Sequence, residues 1–250
     1  MSLALRQIAL VAARLAPVEH ALTTVFDLTP CHRDPAVAQY GLENVLLPIG
    51  RQFLEVVAPT QDETAAGRFL SRRGGDGGYM VITQCADHDV YRARVASLGV
   101  RIAHEFQAAG FRNMQLHPRD TGGSFFEIDE QLGDAEDWLP AGEHWRDTRA
   151  STRVSAIAAA EIQADAPRAI AERWAAIADA PLTATADGAE VALTDARLRF
   201  VPARDGRPEG LAGLDLVASD APAILAAARA AGASMDADGF QLAGMRWRLV

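Results

Sequence analysis

Residues 6–55 are echoed by residues 78–127, and this internal repeat limits what the chain can fold into. The first copy opens on the apolar run QIALVA, passes through a helical segment and closes on FLEVVAP, a strand-like run holding one carboxylate, Glu55. The second opens on YMVITQ, passes through a helical segment ending in SLGV and closes on FFEID with Glu127. Gln7 and Tyr79 head the opening strands, each 48 positions before its glutamate (55 − 7 and 127 − 79), so the copies are offset by 72. Repeats of this kind are supersecondary units that bury their apolar face only against a neighbour.

The elements within the copies follow from periodicity. Ile8–Ala13 is a short apolar run, the pattern of a buried strand. Pro17 suits a first helical turn, and Val18, Leu22, Val25 and Phe26 follow at helical spacing. Asp27–Asp34 reads as loop; Asn44–Pro48 and Gln52–Val57 read as strands joined by a turn at Gly50. A helix over Thr60–Leu70 and a glycine-rich connector, Arg72–Gly78, lead to the second copy. There the spacing predicts a strand over Tyr79–Thr83, a helix over about 87–98 stopped by Gly99, and strands near 101–107, 113–117 and 124–128.

Residues 131–152 are acidic, with Gly133, Pro140 and Gly142, and read as a linker. Beyond it the pattern returns in weaker form. A third unit runs from Val154–Gln163 through a helix at 166–177 to strands at 190–193 and 197–201. A fourth runs from Leu214–Val217 through a helix at 221–231 to strands at 240–242 and 245–249. The expectation is an α+β chain of tandem βαβββ modules forming curled, cup-shaped mixed sheets, four modules in two pairs. One domain spans 1–130, with modules at about 3–58 and 78–130, and a degenerate second domain spans 153–250.

Composition narrows the partners. A net charge of −9 argues against nucleic acid or an anionic membrane surface. No apolar run approaches the ~20 residues that cross a bilayer, and no cleavage-site pattern follows Arg6, so neither a span nor a signal peptide is expected. Cys31 and Cys85 lack metal-type spacing and make no disulfide framework, which points to a reducing cytoplasm. Every basic residue is arginine, excluding a Schiff-base or P-loop lysine.

Three stretches carry a resemblance to a known superfamily: RQIALVA, NVLLPIGRQFLEVVAP and LHPRDTGGSFFEI. They resemble the opening strand, the hairpin into the glutamate strand and the HPKDTGG-then-glutamate stretch of the vicinal oxygen chelate superfamily. That superfamily includes glyoxalase I, methylmalonyl-CoA epimerase, extradiol dioxygenases and bleomycin-resistance proteins. The resemblance implies a glyoxalase-like small-molecule protein. Its metal-dependent members take one ligand from each module's first strand and a glutamate from its last, which by position implies Gln7, Glu55 and Glu127 around one divalent ion. Tyr79 stands where a histidine would be expected, and a phenol is a poor partner for ions that favour imidazole. Extradiol dioxygenation needs two histidines and a carboxylate on iron, and the first-strand histidines are absent.

Side chains alternate along a strand, so Glu55 and Glu127 should face away from their apolar neighbours. A buried carboxylate at matched register in two copies is hard to justify as packing. Glu127, Glu55 and Tyr79 are therefore the candidate catalytic residues, and His117, Asn44 and Arg119 the candidate ligand contacts. The bland alternatives stand beside them: Tyr79 as a strand tyrosine, Gln7 bonded to backbone, His117 capping a turn, Arg119 paired with Asp120. His104 and Glu105 are adjacent and should point to opposite faces. Arg199 occupies the glutamate position of the third unit, and Arg246 and Arg248 lie on the last strand. Two functions follow: a metal-assisted lyase or isomerase acting next to a carbonyl in the N-terminal cup, or a metal-free binding or sequestration protein of the bleomycin-resistance type. The expected partner is a small molecule, bound by a monomer or homodimer.

Overall fold

The computed structural model describes residues 3–108 and 110–250. The first module is strand β1 (Ala4–Val11), helix α1 (Leu15–Phe26) and the hairpin β2 (Leu42–Ile49) and β3 (Gln52–Pro59). Helix α2 (Ala65–Arg73) connects it to β4 (Gly77–Cys85), α3 (His88–Ser97), β5 (Ile102–Ala108), β6 (Phe111–Leu116) and β7 (Phe125–Gln131). The third module is β8 (Val154–Ala164), α4 (Pro167–Ala178), β9 (Leu182–Ala184), β10 (Ala189–Ala192) and β11 (Arg197–Pro202). The fourth is β12 (Gly210–Ala218), α5 (Ala221–Ala230), β13 (Ser234–Met235), β14 (Gly239–Leu242) and β15 (Met245–Leu249).

The strands form two mixed sheets, in the orders β2-β3-β1-β4-β7-β6-β5 and β13-β14-β15-β12-β8-β11-β10-β9. This is the expected α+β architecture of repeated modules, with one departure. The first module has βαββ order, and where the others place a strand after the helix it has a 3₁₀ turn, Pro35–Tyr40, and an isolated bridge between His32 and Leu46. The proline and the αL cap Gly41 favour a tight turn there over an extended segment. Helix α2 begins at Ala65, later than its composition suggests, because the Thr64 hydroxyl caps it by accepting from the Gly67 N–H. The short strands β9 and β13 carry too few residues to show alternation in sequence.

By packing, the chain divides into two compact units. The first takes Met1–Gln7, Tyr79–Leu139 and Ala159–Leu211; the second takes Ile8–Gly78, Pro140–Ala158 and Ala212–Val250. Each unit therefore draws on both halves of the sequence. In the first, Trp174 of α4 lies flat on Phe126 of β7 (4.2 Å between centroids, 5° between planes) and edge-on to Phe200 of β11 (5.5 Å). Its indole N–H donates to the Thr121 carbonyl at 3.0 Å, so the one polar atom of this buried ring is satisfied. In the second, Phe26 of α1 packs on Trp247 of β15 (4.7 Å) and Phe240 of β14 (6.0 Å). There Asp27 ends α1 at φ 54° and accepts from Arg149 and from the Thr152 N–H and hydroxyl.

Replacing Trp174 with alanine should lower stability by about 3–5 kcal/mol, since it removes the ring between two modules and leaves a cavity. Trp174→Phe should cost less, because the ring stays and only the N–H bond to Thr121 is lost. Urea midpoints read at the first unit's transition check both, and equal midpoints for the alanine variant and the parent would refute this role.

Candidate functional site

Strand register decides which side chains share a face in the first unit. β4 and β7 pair in parallel with Met80 opposite Phe125, Ile82 opposite Glu127 and Gln84 opposite Asp129. β6 pairs antiparallel to β7, setting Gln115 beside Glu127 and Asn113 beside Asp129. β5 then sets His104 beside Gln115 and Phe106 beside Asn113. Residues paired in this way point to one side of a sheet. The opposite side packs on helices: Phe126 meets Trp174 of α4, Arg112 pairs with Asp89 of α3, and the His88 N–H of α3 donates to Glu130. The helix-free face thus carries Met80, Ile82, Gln84, Glu127, Asp129 and Asn113.

Tyr79 falls out of step with Glu127 in this register. Three residues before Ile82, it has the opposite parity, and Met80 holds the place on the face of Glu127. Tyr79 is buried with its ring edge-on to Phe125 at 5.2 Å. Glutamate 127 does gain acidic company, in Asp129, two residues on. The two carboxylates are 5 % and 1 % exposed, and Asn113 Nδ2 donates to Asp129 Oδ1 at 3.0 Å. Burial, and then the charge of Glu127, push the Asp129 carboxyl well above the usual carboxylate range, against the bond from Asn113. Asp129 was legible as the i+2 neighbour in FFEID; Met80 and Asn113 needed the register.

Gln7 is buried and engaged: its Oε1 accepts from the Trp138 indole N–H at 2.7 Å. The neighbouring Arg6 donates to the Glu136 carbonyl (2.8 Å) and lies 5.3 Å over the Trp138 ring. His104 stays on the inner face near Phe106, whereas Glu105 turns to Arg92 of α3, as adjacent strand positions require. In the HPRDTGG turn, His117 Nδ1 accepts from the Arg119 N–H, and Arg119 is exposed. Asp120 pairs with Arg101 instead of Arg119, and the bonds from Arg101 hold its carboxyl well below the usual range.

In the second unit, Glu55 and Asn44 come together as a buried pair, Asn44 Nδ2 donating to Glu55 Oε1 at 2.7 Å. The other end of that amide accepts from the Asp34 N–H, which fixes its orientation. Phe53 of β3, on the face of Glu55, meets Trp145 edge-on at 5.1 Å. Both tryptophans of residues 131–152 therefore pack onto strand residues, although the segment reads as a linker.

The C-terminal modules set acids beside arginines. In the first unit Glu161 of β8 lies beside Arg199 of β11 in parallel register, 2.9 Å apart. In the second Asp215 of β12 lies beside Arg248 of β15, 3.8 Å apart. On the face of Glu161, Gln163 donates to Asp205, which also takes bonds from Arg207.

Superfamily members commonly use a divalent metal ion, and the donor set here tests that expectation. No three His, Cys, Asp or Glu side chains among the described residues group as a metal site. In the first unit Gln7 accepts from an indole, and β4 brings to the face of Glu127 a thioether, an alkyl chain and an amide already bonded to the Ala135 carbonyl (Met80, Ile82 and Gln84), with no imidazole among them. The residues present do not fit a resident divalent ion.

A family model described as a glyoxalase-like domain matches residues 9–178, and the chain belongs to that family. Along 93% of its length it is similar to a mutant of 4-hydroxymandelate synthase from Streptomyces coelicolor, covering 76% of that chain at 14% identity with a TM-score of 0.68. That likeness shows the same fold over both sheets. Over 53% of its length it is similar to methylmalonyl-CoA epimerase from Mycobacterium tuberculosis (89% of that chain, 22% identity, TM-score 0.46). Over 55% it is similar to a hypothetical protein of Bacillus halodurans (100% of that chain, 21% identity, TM-score 0.49). No curated protein matches the chain. No helix among the described residues is long and apolar enough to cross a membrane.

The Asp205 cluster yields a pH dependence. Burial alone would raise Asp205, but the bonds from Arg207 and Gln163 outweigh it and hold the carboxyl at about 2. That lies below the value of about 3.9 for an unfolded aspartate, so Asp205 contributes stability above about pH 4 that is lost as pH falls towards 2. Melting curves of Asp205→Asn should lie below the parent near pH 6 and converge with it near pH 2; a gap that does not change with pH would refute the assignment.

Proposed function

We propose that the chain is a metal-independent small-molecule binding protein, of the sequestration type, whose site is the helix-free face of β4, β6 and β7. The observation that carries this reading is the buried cluster of Glu127, Asp129 and Asn113 on a face otherwise lined by Met80, Ile82 and Phe125. Two acids and an amide on an apolar wall suit an amphipathic ligand that offers N–H or O–H donors to oxygen and an apolar body to the strand side chains. His104 and Gln115 extend the same face. His117 and Arg119 belong to the turn before β7, where Arg119 is exposed and free to meet a ligand's anionic group. A reducing cytoplasm suits a chain whose Cys31 and Cys85 are both free thiols.

A second reading, a metal-assisted lyase or isomerase acting next to a carbonyl, is favoured by the matched glutamates of β3 and β7. Under it, Glu127 or Glu55 is the proton-abstracting base.

Elemental analysis of the purified protein, with a melting-temperature screen of zinc, nickel, cobalt and manganese, separates the two. The metal-free reading expects far less than one equivalent of ion and no metal-dependent rise. It also expects Glu127→Gln to weaken binding of donor-bearing amphipathic compounds by tenfold or more. One equivalent of metal, lost in Glu127→Gln and in Glu55→Gln, would sink it in favour of the second reading.

A further inference from the structure

The segment between β7 and Pro140 lies across the site face of the first unit. Gln84 Nε2 donates to the Ala135 carbonyl (2.9 Å), Arg6 to the carbonyls of Glu136 and Asp137 (2.8 and 3.3 Å), and the Leu139 N–H to Gln131 Oε1 (2.9 Å). Trp138 alone goes deep, at 1 % exposure. Its N–H meets Gln7, and its ring stands edge-on to Phe111 at 5.3 Å. The Arg6 guanidinium lies 5.3 Å from the ring centre.

We infer that Leu132–Leu139 is a removable autoinhibitory strap, and that Trp138 fills a subsite shaped for a planar aromatic ring bearing an N–H or O–H donor. This rests on the proposed binding face and names the class of ligand it takes. Three features of the subsite define that class: an acceptor at one edge (Gln7), an aromatic wall (Phe111) and a cation over the ring (Arg6). The aromatic wall also continues past the strap. Phe106 lies 6.0 Å from Phe111 and His104 5.9 Å from Phe106, and Phe106 is 42 % exposed. A ring larger than indole would find further stacking surface in that direction.

The strap is built to leave. Leu132 and Leu139 remain 43 % and 47 % exposed, so burial of apolar surface does not hold the segment down apart from one indole. Gln84 and Arg6 hold it through the carbonyls of Ala135, Glu136 and Asp137, bonds that water can replace. At its start Gly133 has φ 86°, yet a Cβ there would meet no atom within 4 Å. That glycine serves backbone freedom, as a hinge does, instead of close packing.

Hydrogen exchange on the full-length parent protein, with indole and N-methylindole as probes, tests the inference. Amides of 133–139 should exchange at least a hundredfold faster than those of β6 and β7, showing that the strap opens without the sheet. Trp138→Ala should bind indole at least tenfold more tightly than the parent, and N-methylindole at least fivefold more weakly than indole. Trp138→Phe, which keeps a ring but no N–H, should speed strap exchange if the alanine variant fails to fold. Strap amides exchanging with the sheet would overturn the strap. Equal binding of the two probes would mark a mere cavity and overturn the ligand class, as would equal affinity of parent and Trp138→Ala. A stoichiometric metal would overturn the metal-free reading and leave these exchange and probe outcomes unchanged.

Discussion

The parallel pairing of β4 with β7 governs what the first unit can do. Once Ile82 stands beside Glu127, alternation leaves no choice about the rest of the face: Met80 and Gln84 come from one strand, Phe125 and Asp129 from the other. β6 then has to bring Asn113 and Gln115 to the same side. A slip of one residue would exchange this polar cluster for Val81, Thr83, Phe126 and Ile128, which are wholly buried. The register is held by that difference, because only one assignment lets Phe126 lie flat against Trp174. Packing on the helix side therefore sets the chemistry on the other.

The same rule explains which parts of the molecule were legible beforehand. The 72-residue echo gave the modules, and the two glutamates stood out because carboxylates within apolar strands need a reason. Counting the echo from Gln7 leads to Tyr79, while the β4–β7 register sets its neighbour Met80 in step with Glu127. A repeat counted in sequence does not fix strand pairing, and one residue reverses the face. Trp138 was harder still. A tryptophan in an acidic segment with two glycines and a proline has the composition of a linker, and its burial depends on Gln7, Arg6 and Phe111, which are remote in sequence. No local pattern records such a contact. Asn44 was legible only as the head of a strand, while its bond to Glu55 required the hairpin register.

In the C-terminal modules the same positions are charged differently. Glu161 with Arg199, and Asp215 with Arg248, occupy equivalent registers, first strand against last. A buried acid beside a guanidinium is satisfied by its neighbour, so it is not poised to receive a ligand. In the Glu161–Arg199 pair both side chains are largely covered, so removing either would leave a charge away from water. Arg199, which by composition alone would suit an anionic ligand, is therefore committed within its own sheet, while Arg248 stays exposed beside Asp215. The acids that stand beside other acids and amides instead are concentrated around Glu127 and Asp129.

That concentration bears on why a strap should exist. Two acids on an apolar face are costly to bury and costly to leave open, since water admitted to the cup also solvates the competing apolar wall. An indole resolves the conflict cheaply: its ring covers Phe111, and its N–H satisfies Gln7 without disturbing the carboxylates. The arrangement selects for displacement by a molecule that does the same two things better, covering the wall and offering a donor at the same edge. A purely apolar ligand would not replace the indole's bond to Gln7, and a small polar one would leave Phe111 and Phe106 wet. In this cup the occupant supplied by the chain is thus also a description of the ligand that can replace it.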